Sequence, residues 1–409
     1  MTGAVVITGL SAAAPNGLGT DEYWSATRTG TSGIGLITRF DPAGYPVRLA
    51  GEVPGFDPAE HLPSRLLPQT DHMTRLALVT AAWALRDSAV TAESLGEFDM
   101  GVVTASASGG FEFGQRELER LWGSGPEHVS AYQSFAWFYA VNTGQISIRH
   151  GMRGPSGVLV AEQAGGLDAL GHARRRIRRG TRLIVSGGVD SCLCPWGLVA
   201  QLPSGRLSTA EDPARAYLPF DAAAAGHVPG EGGAILVLED AESAAARGAP
   251  RVYGELAGYA ATFDPPPRSG RESALRRAIL LALEDAGLGP AEIDAVFADA
   301  AGVPELDRSE AAAISSVFGA GGVPVTAPKT MTGRLYSGGA PLDVAAALLS
   351  MRDGVLPPTI GTERPAVAGQ LDLVLGAARA AKLRSVLVLA RGYGGFNSAV
   401  VLRTVDRTG

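Results

Sequence analysis

Short apolar runs that end in glycine recur along the chain and restrict it to layered α/β architectures. They read AVVITGL (4–10), DMGVVTASASGG (99–110), SGVLVAEQAGG (156–166), RLIVSGGVD (182–190) and GGAILVLED (232–240). The second half carries AVFADAAG (295–302), VPVTAPKTMTG (323–333) and SVLVLARGYGGFNSAVVL (385–402). Short runs rich in Val, Ile and Leu are the pattern of strands buried on both faces. Helical patterns follow most of them. Segment 71–89 places Met73, Leu76, Val79, Trp83 and Leu85 close to a helical period. Segment 164–179 carries Leu167, Leu170 and Ile177, then ends in arginines before Gly180, which is a helix stop. Segment 341–352 opens with Pro341 and stops at Gly354. Glycine reaches 54 of 409 residues, near twice the usual ~7%. Because the glycines close apolar runs, they read as turns rather than low complexity.

The two halves share an order of elements. Each has a strand ending in Ala and Gly (99–110; 295–302), then a strand running into a helix (158–170; 325–349). Each closes with a glycine-terminated strand and a hairpin partner (182–190 with 232–240; 385–402). The pattern predicts a duplicated fold, with one unit over 1–250 and a second over 251–409, divided at ARGAPR (246–251). DPPPRSG (264–270) reads as a loop, because its prolines cannot occupy a helix interior or a central strand.

Charge and cysteine content narrow the function. A net charge of −6 argues against a nucleic-acid partner. Cys192 and Cys194 are the only cysteines, too few for a disulfide framework or a four-ligand zinc site, and they read as packing residues. No apolar run is long enough to span a membrane, and MTGAVVITGL lacks the basic start and long apolar core of a signal peptide. A soluble cytoplasmic protein is expected.

VAEQAGGLDAL (160–170) carries the most chemical information. A buried strand turns sharply into a helix with two glycines just inside. Such an elbow presents one side chain where helix N–H groups point at a ligand. A thiol or hydroxyl there would be an activated nucleophile. Here the apex residue is Gln163, whose carboxamide neither titrates nor attacks and only exchanges hydrogen bonds.

Several long motifs occur in one order: ITGLSAAAPNGLG (7–19), GFEFGQREL (110–118), SFAWFYAVNTGQISI (134–148), GPSGVLVAEQAGGLDAL (154–170), FDAAAAGHVPGEGGAILVLE (220–239), VFADAAGVPELDRSEAAAI (296–314), PKTMTGR (328–334) and RGYGGFNSA (391–399). Through them essentially the whole chain resembles the ketosynthases of the thiolase-like superfamily. Most closely it is similar to the ketosynthase-beta subunits, or chain length factors, of bacterial type II polyketide synthases. The resemblance implies a five-layered α-β-α-β-α thiolase-like fold, no cofactor and no metal. Active ketosynthases carry Cys–His–His. The matching positions here are Gln163, Asp299 in VFADAAG and Arg334 in KTMTGR. Lys329 of that motif is retained, and Tyr393 stands where the family often has phenylalanine. Claisen condensation needs a covalent thioester and a donor to the enolate. Gln163 cannot be acylated, and an arginine cannot accept a hydrogen bond.

The resemblance therefore implies a non-elongating subunit of a ketosynthase-alpha/beta heterodimer, which houses the reactive poly-β-ketone and sets its length. The partners implied are a catalytic alpha subunit and an acyl carrier protein. A second reading is decarboxylation of malonyl-carrier protein at Gln163, since loading-type ketosynthases that decarboxylate also carry glutamine there. Asp299 and Arg334 are of opposite sign, and a buried bidentate pair is expected, with bonds from both to backbone as the alternative. Lys329 is expected to pair with Asp343, which stands where ketosynthases place a glutamate. Phe111, Gly114 and Leu118 share one helical face; the resemblance puts them, with Phe135, at the tunnel's far end. YQSFAWFY (132–139) holds five aromatics and fits an interface or a tunnel lining. The arginines of ARRRIRRG (173–180) read as a solvated face favoured by the helix dipole or as a docking site for an acidic carrier protein.

Overall fold

A computed structural model describes residues 3–91, 95–266 and 269–405. Pro267 and Arg268 of the 264–270 loop thus lie outside the described residues. Ten strands form the frame. The first half supplies β1 (Val5–Ala14), β2 (Met100–Ala105), β3 (Ser156–Leu159), β4 (Leu183–Asp190) and β5 (Gly232–Asp240). The second supplies β6 (Gly254–Phe263), β7 (Ala295–Phe297), β8 (Pro324–Thr326), β9 (Ser385–Arg391) and β10 (Phe396–Arg403). Eight helices matter for the site: α1 (His72–Asp87), α2 (Phe111–Ser124), α3 (Val141–Arg149), α4 (Glu162–Ile177), α5 (Pro195–Gln201), α6 (Leu275–Ala286), α7 (Pro304–Phe318) and α8 (Gly339–Asp353).

The strands lie in the order β3-β2-β4-β5-β1-β6-β10-β9-β7-β8. Read outward from the middle, each half repeats one arrangement. β2 runs parallel to β3 and β4, and β5 returns antiparallel to β4 and β1. Likewise β7 runs parallel to β8 and β9, and β10 returns antiparallel to β9 and β6. The halves join where Val6 and Ile7 of β1 pair antiparallel with Glu255 and Gly254 of β6.

Helix placement completes the layers. α4 packs on β2 and β4 from the first half and on β9 and β10 from the second. α8 lies beside it, against β5 and β9. Thirteen consecutive residues of α8, Gly339 to Met351, are buried, as a helix enclosed on all sides requires. α1 covers the outer face of β1, β4 and β5; α6 covers that of β6 and β10. The result is the expected α-β-α-β-α fold. Gly166 of α4 has no room for a side chain: a Cβ there would strike Pro341 and lie 2.6 Å from the Ser337 carbonyl. The two central helices depend on that close approach.

Local signals in the sequence locate most of these elements. α1 begins after Asp71, whose carboxylate accepts the Met73 N–H at 2.8 Å as an N-cap. α8 starts two residues before Pro341 and stops at Gly354 in the left-handed conformation. α4 starts at Glu162, two residues earlier than its periodicity predicts. No local signal announces β6. Its sequence, GELAGYAATF, has no run of β-branched residues, and its conformation is set by pairing with β1 and β10. Among the described residues no helix is long and apolar enough to cross a membrane.

Candidate functional site

The elbow between β3 and α4 sets the site. Val160 and Ala161 turn the chain, and Gln163 sits in the first turn of α4, fully buried. Its Nε2 donates to Asp299 Oδ1 at 3.5 Å, while its Oε1 has no hydrogen-bond partner among the described residues. Gln163 Oε1 instead lies where a side chain on Gly339 would be, 2.8 Å from that position. It does not line the neighbouring cleft.

Asp299 follows β7, and Arg334 lies in the loop that leads to α8. Arg334 Nη1 donates to Asp299 Oδ2, and Nη2 to Oδ1, both at 3.2 Å. The same guanidinium donates to the Asp299 and Arg391 carbonyls at 3.0 Å, so the expected pair and the backbone alternative coexist. The Arg391 N–H adds a bond to Asp299 Oδ1 at 2.9 Å. Burial works against the charge, yet Arg334 and then Lys329 hold the Asp299 carboxyl below its ordinary value. Glu310 of α7 braces this turn by accepting the Asp299 and Ala300 N–H groups at 2.7 and 2.8 Å. Burial, then the Asp299 charge, pushes Glu310 up to about 7.

Lys329 and Asp343 also meet, with Nζ 2.7 Å from Oδ2. The ammonium donates to the Ala298 carbonyl, which ties the pair to the turn that carries Asp299. Burial pushes Asp343 up to about 6 despite Lys329.

A cleft of about 850 Å³ opens beside this cluster, lined in part by Phe111, Glu162, Arg206, His227, Arg334 and Tyr393. Three of these, Glu162, Arg206 and His227, were not singled out from the sequence. His227 is buried; burial, then Arg334, pushes its imidazole down to about 3, so it stays neutral. Glu162 precedes the apex and accepts the Tyr393 N–H at 2.8 Å. Both lie inside recognisable motifs, but neither occupies a position where a ketosynthase carries its Cys or His residues. Cys192 lines the cleft as well, with Sγ 2.7 Å from Ser108 Oγ. Burial pushes its thiol well up, and Cys194 to about 11. Neither is a thiolate nucleophile near neutrality.

Of the four tunnel candidates, Phe111 alone lines this cleft. Phe111 faces the cleft and stacks on Trp196 at 4.6 Å. Gly114 is buried beneath Trp196; a Cβ there would lie 3.0 Å from Cζ3. Leu118 is exposed, and Phe135 packs edge-on to Tyr132. Beyond them Tyr132, Trp137, Phe138 and Tyr139 are exposed, and β3 ends the sheet, pairing with β2 and with no other described strand. Unpaired edges and exposed aromatics together mark an association surface.

The arginines of 173–180 are elsewhere. They close the C-terminal end of α4, one helix length of about 24 Å from the elbow. Arg174 is buried and bonded to Asp285 and the Ala257 carbonyl, and Arg175 lies over Tyr259. These contacts favour the helix-end reading over carrier docking at the site.

Comparisons with known proteins agree with this geometry. The family model of the beta-ketoacyl synthase N-terminal domain matches residues 2–244, and that of the C-terminal domain matches 253–363. The actinorhodin polyketide beta-ketoacyl synthase 2 of Streptomyces coelicolor is 66% identical over 98% of both chains. The tetracenomycin polyketide synthase ketoacyl synthase beta subunit of Streptomyces glaucescens is 64% identical, again over 98% of both. Among solved structures, the ishigamide ketosynthase/chain length factor superposes with a TM-score of 0.89 at 30% identity, covering 99% of this chain and 100% of that one.

Proposed function

This chain belongs to the beta-ketoacyl synthase family, as a ketosynthase-beta or chain length factor, and from that premise we propose how its geometry serves the role. It pairs with a catalytic ketosynthase-alpha, forms part of the wall of the tunnel that holds the growing poly-β-ketone, and limits its length without elongating it. One observation carries the proposal: the site where an elongating subunit needs an acylatable thiol and titrating imidazoles is filled by Gln163 and the buried Asp299–Arg334 pair. No atom there can hold an acyl group. The chemistry then belongs to a partner, and the open β3 edge and the exposed aromatics of 132–139 offer surfaces for one.

In this reading Phe111, Gly114, Leu118 and Phe135 act on chain length from the α2 side, and the tunnel is completed by the alpha subunit. The carrier protein delivers malonyl and polyketide groups to the assembled pair. The 246–251 loop divides the two repeated units. Two free, buried cysteines fit a reducing compartment, and we place the protein in the cytoplasm.

Co-expression with a cysteine-bearing alpha subunit and a carrier protein tests the proposal. The two chains should copurify as a heterodimer and make poly-β-ketone together. Elongation by this chain in the absence of the alpha subunit would overturn it.

A further inference from the structure

The helix that carries Phe111, Gly114 and Leu118 has no cap of its own. α2 begins after Gly110, which offers no side chain to the free N–H groups of the first turn. The acceptor comes from 42 residues earlier in the chain: Asp71 Oδ2 accepts the Phe113 N–H at 2.7 Å. The other oxygen of that carboxylate caps α1, so one side chain closes two helices.

A second link holds the same turn by a side chain. Glu112 Oε2 accepts from Arg39 Nη2, 73 residues away in sequence. Arg39 is itself fixed from behind, with Nη1 3.4 Å from Glu231 Oε2 and 2.7 Å from His72 Nε2. Glu231 is buried at the head of β5, where it accepts from Ser191 Oγ at 2.7 Å and from the Val53 N–H at 3.1 Å. The guanidinium therefore bridges a fixed carboxylate in the interior and a partly exposed one on α2. Such a two-ended contact suits the planar fork of an arginine and not the point charge of a lysine. Neither Arg39 nor Glu112 lines the cleft. Their neighbours on α2 do the contacting: Phe111 stacks on Trp196, Gly114 lies beneath it, and Gln115 Oε1 accepts the Trp196 N–H at 2.8 Å. A shift of the first turn of α2 thus carries the Phe111–Trp196 stack with it.

We propose that Arg39 is a positioning residue for chain length: through Glu112 it seats the first turn of α2 against Glu231, and so sets where the Phe111–Trp196 stack stands beside the polyketide. Arg39 touches no substrate and acts only through α2. The proposal rests on the reading of α2 as the length-setting helix and adds the groups that hold that helix in place.

The test uses the alpha/beta heterodimer with its carrier protein. Glu112→Gln removes the charge at the exposed end of the link and leaves Arg39 on Glu231, so the chain should fold. Arg39→Lys is the second variant. In each, the share of native-length product should fall by about twofold in favour of neighbouring lengths, and the amides of 113–115 should exchange with deuterium about twofold faster. The double variant should do no more than the stronger single one, because both break one link; additive shifts would overturn that link. Gly114→Phe, made alongside, separates the two readings. If it changes product length while Glu112→Gln and Arg39→Lys do not, the role of Arg39 is overturned, whatever the exchange rates, and the reading of α2 stands. If Gly114→Phe also leaves product length unchanged, that reading falls and the role of Arg39 falls with it.

Discussion

Arg334 and Asp299 face each other fork to fork, each nitrogen 3.2 Å from its oxygen, with both side chains buried. In water such a pair contributes little. In this interior each charge depends on the other, because an unpaired buried ion retains its full desolvation cost. Arg334→Met should destabilise the chain by about 3–5 kcal/mol, and Asp299→Leu by a similar amount. The double replacement should recover much of that loss. Denaturant unfolding of the four proteins measures the coupling; simple additivity would show that the backbone bonds of Arg334, not the ion pair, hold the turn.

Gly114 offers the most direct control of the tunnel. A side chain there meets the ring of Trp196, which itself stacks on Phe111 at the cleft. Gly114→Ala should displace Trp196 by a few tenths of an ångström, and Gly114→Phe should drive it toward Phe111. Product analysis of the reconstituted synthase should give a shift to shorter polyketides that is larger for Phe than for Ala. An unchanged product profile from a Gly114→Phe pair that still copurifies would remove α2 from chain-length control.

Acid should find its weak point at Glu231. Burial would raise this carboxyl, but His72, Arg39 and a hydrogen bond from Ser191 push it down to about 2. A depressed carboxyl contributes stability that is present above its unfolded value, near 4.5, and is lost as pH falls toward 2. The contribution is on the order of 3 kcal/mol. Native protein should therefore exceed Glu231→Gln in stability at neutral pH, and the gap should close between about pH 5 and pH 2. Chemical unfolding at a series of pH values reads the difference directly. A gap that is constant with pH would assign the loss to packing.

The arginine run predicts an absence of effect. Arg176 and Arg179 stand at the end of α4 remote from the elbow. Arg176→Glu with Arg179→Glu should leave the salt dependence of carrier-protein association unchanged and polyketide output within about twofold. A weakened, less salt-sensitive association would place the carrier at that helix end.

Much of this architecture is legible in the sequence because buried strands and capped helices have local signatures. Runs of Val, Ile and Leu mark β4, β5 and β9, and Gly354 marks the end of α8. The opposite charges of Asp299 and Arg334 announce their pairing from far apart in the chain. What was not legible depends on convergence. β6 is written in glycine and alanine and becomes a strand through its neighbours. Glu162 looks like an ordinary helix-start acid until the turn at Tyr393 is brought to it. His227 sits inside a motif, yet its neutrality follows only from burial beside Arg334. Leu118 follows the expected helical phase, but its exposure depends on what α2 does not pack against.

Gln163 and Asp343 belong to the two helices of the central layer, and the Asp299–Arg334 and Lys329–Asp343 pairs occupy the space at the head of those helices. A catalytic centre placed at a rim could be lost and left hollow. At this position a void would unroof the one layer that both halves of the sheet lean on. Reaction chemistry was therefore expendable here while volume was not, and a subunit that has given up the reaction still keeps the old pocket tightly furnished.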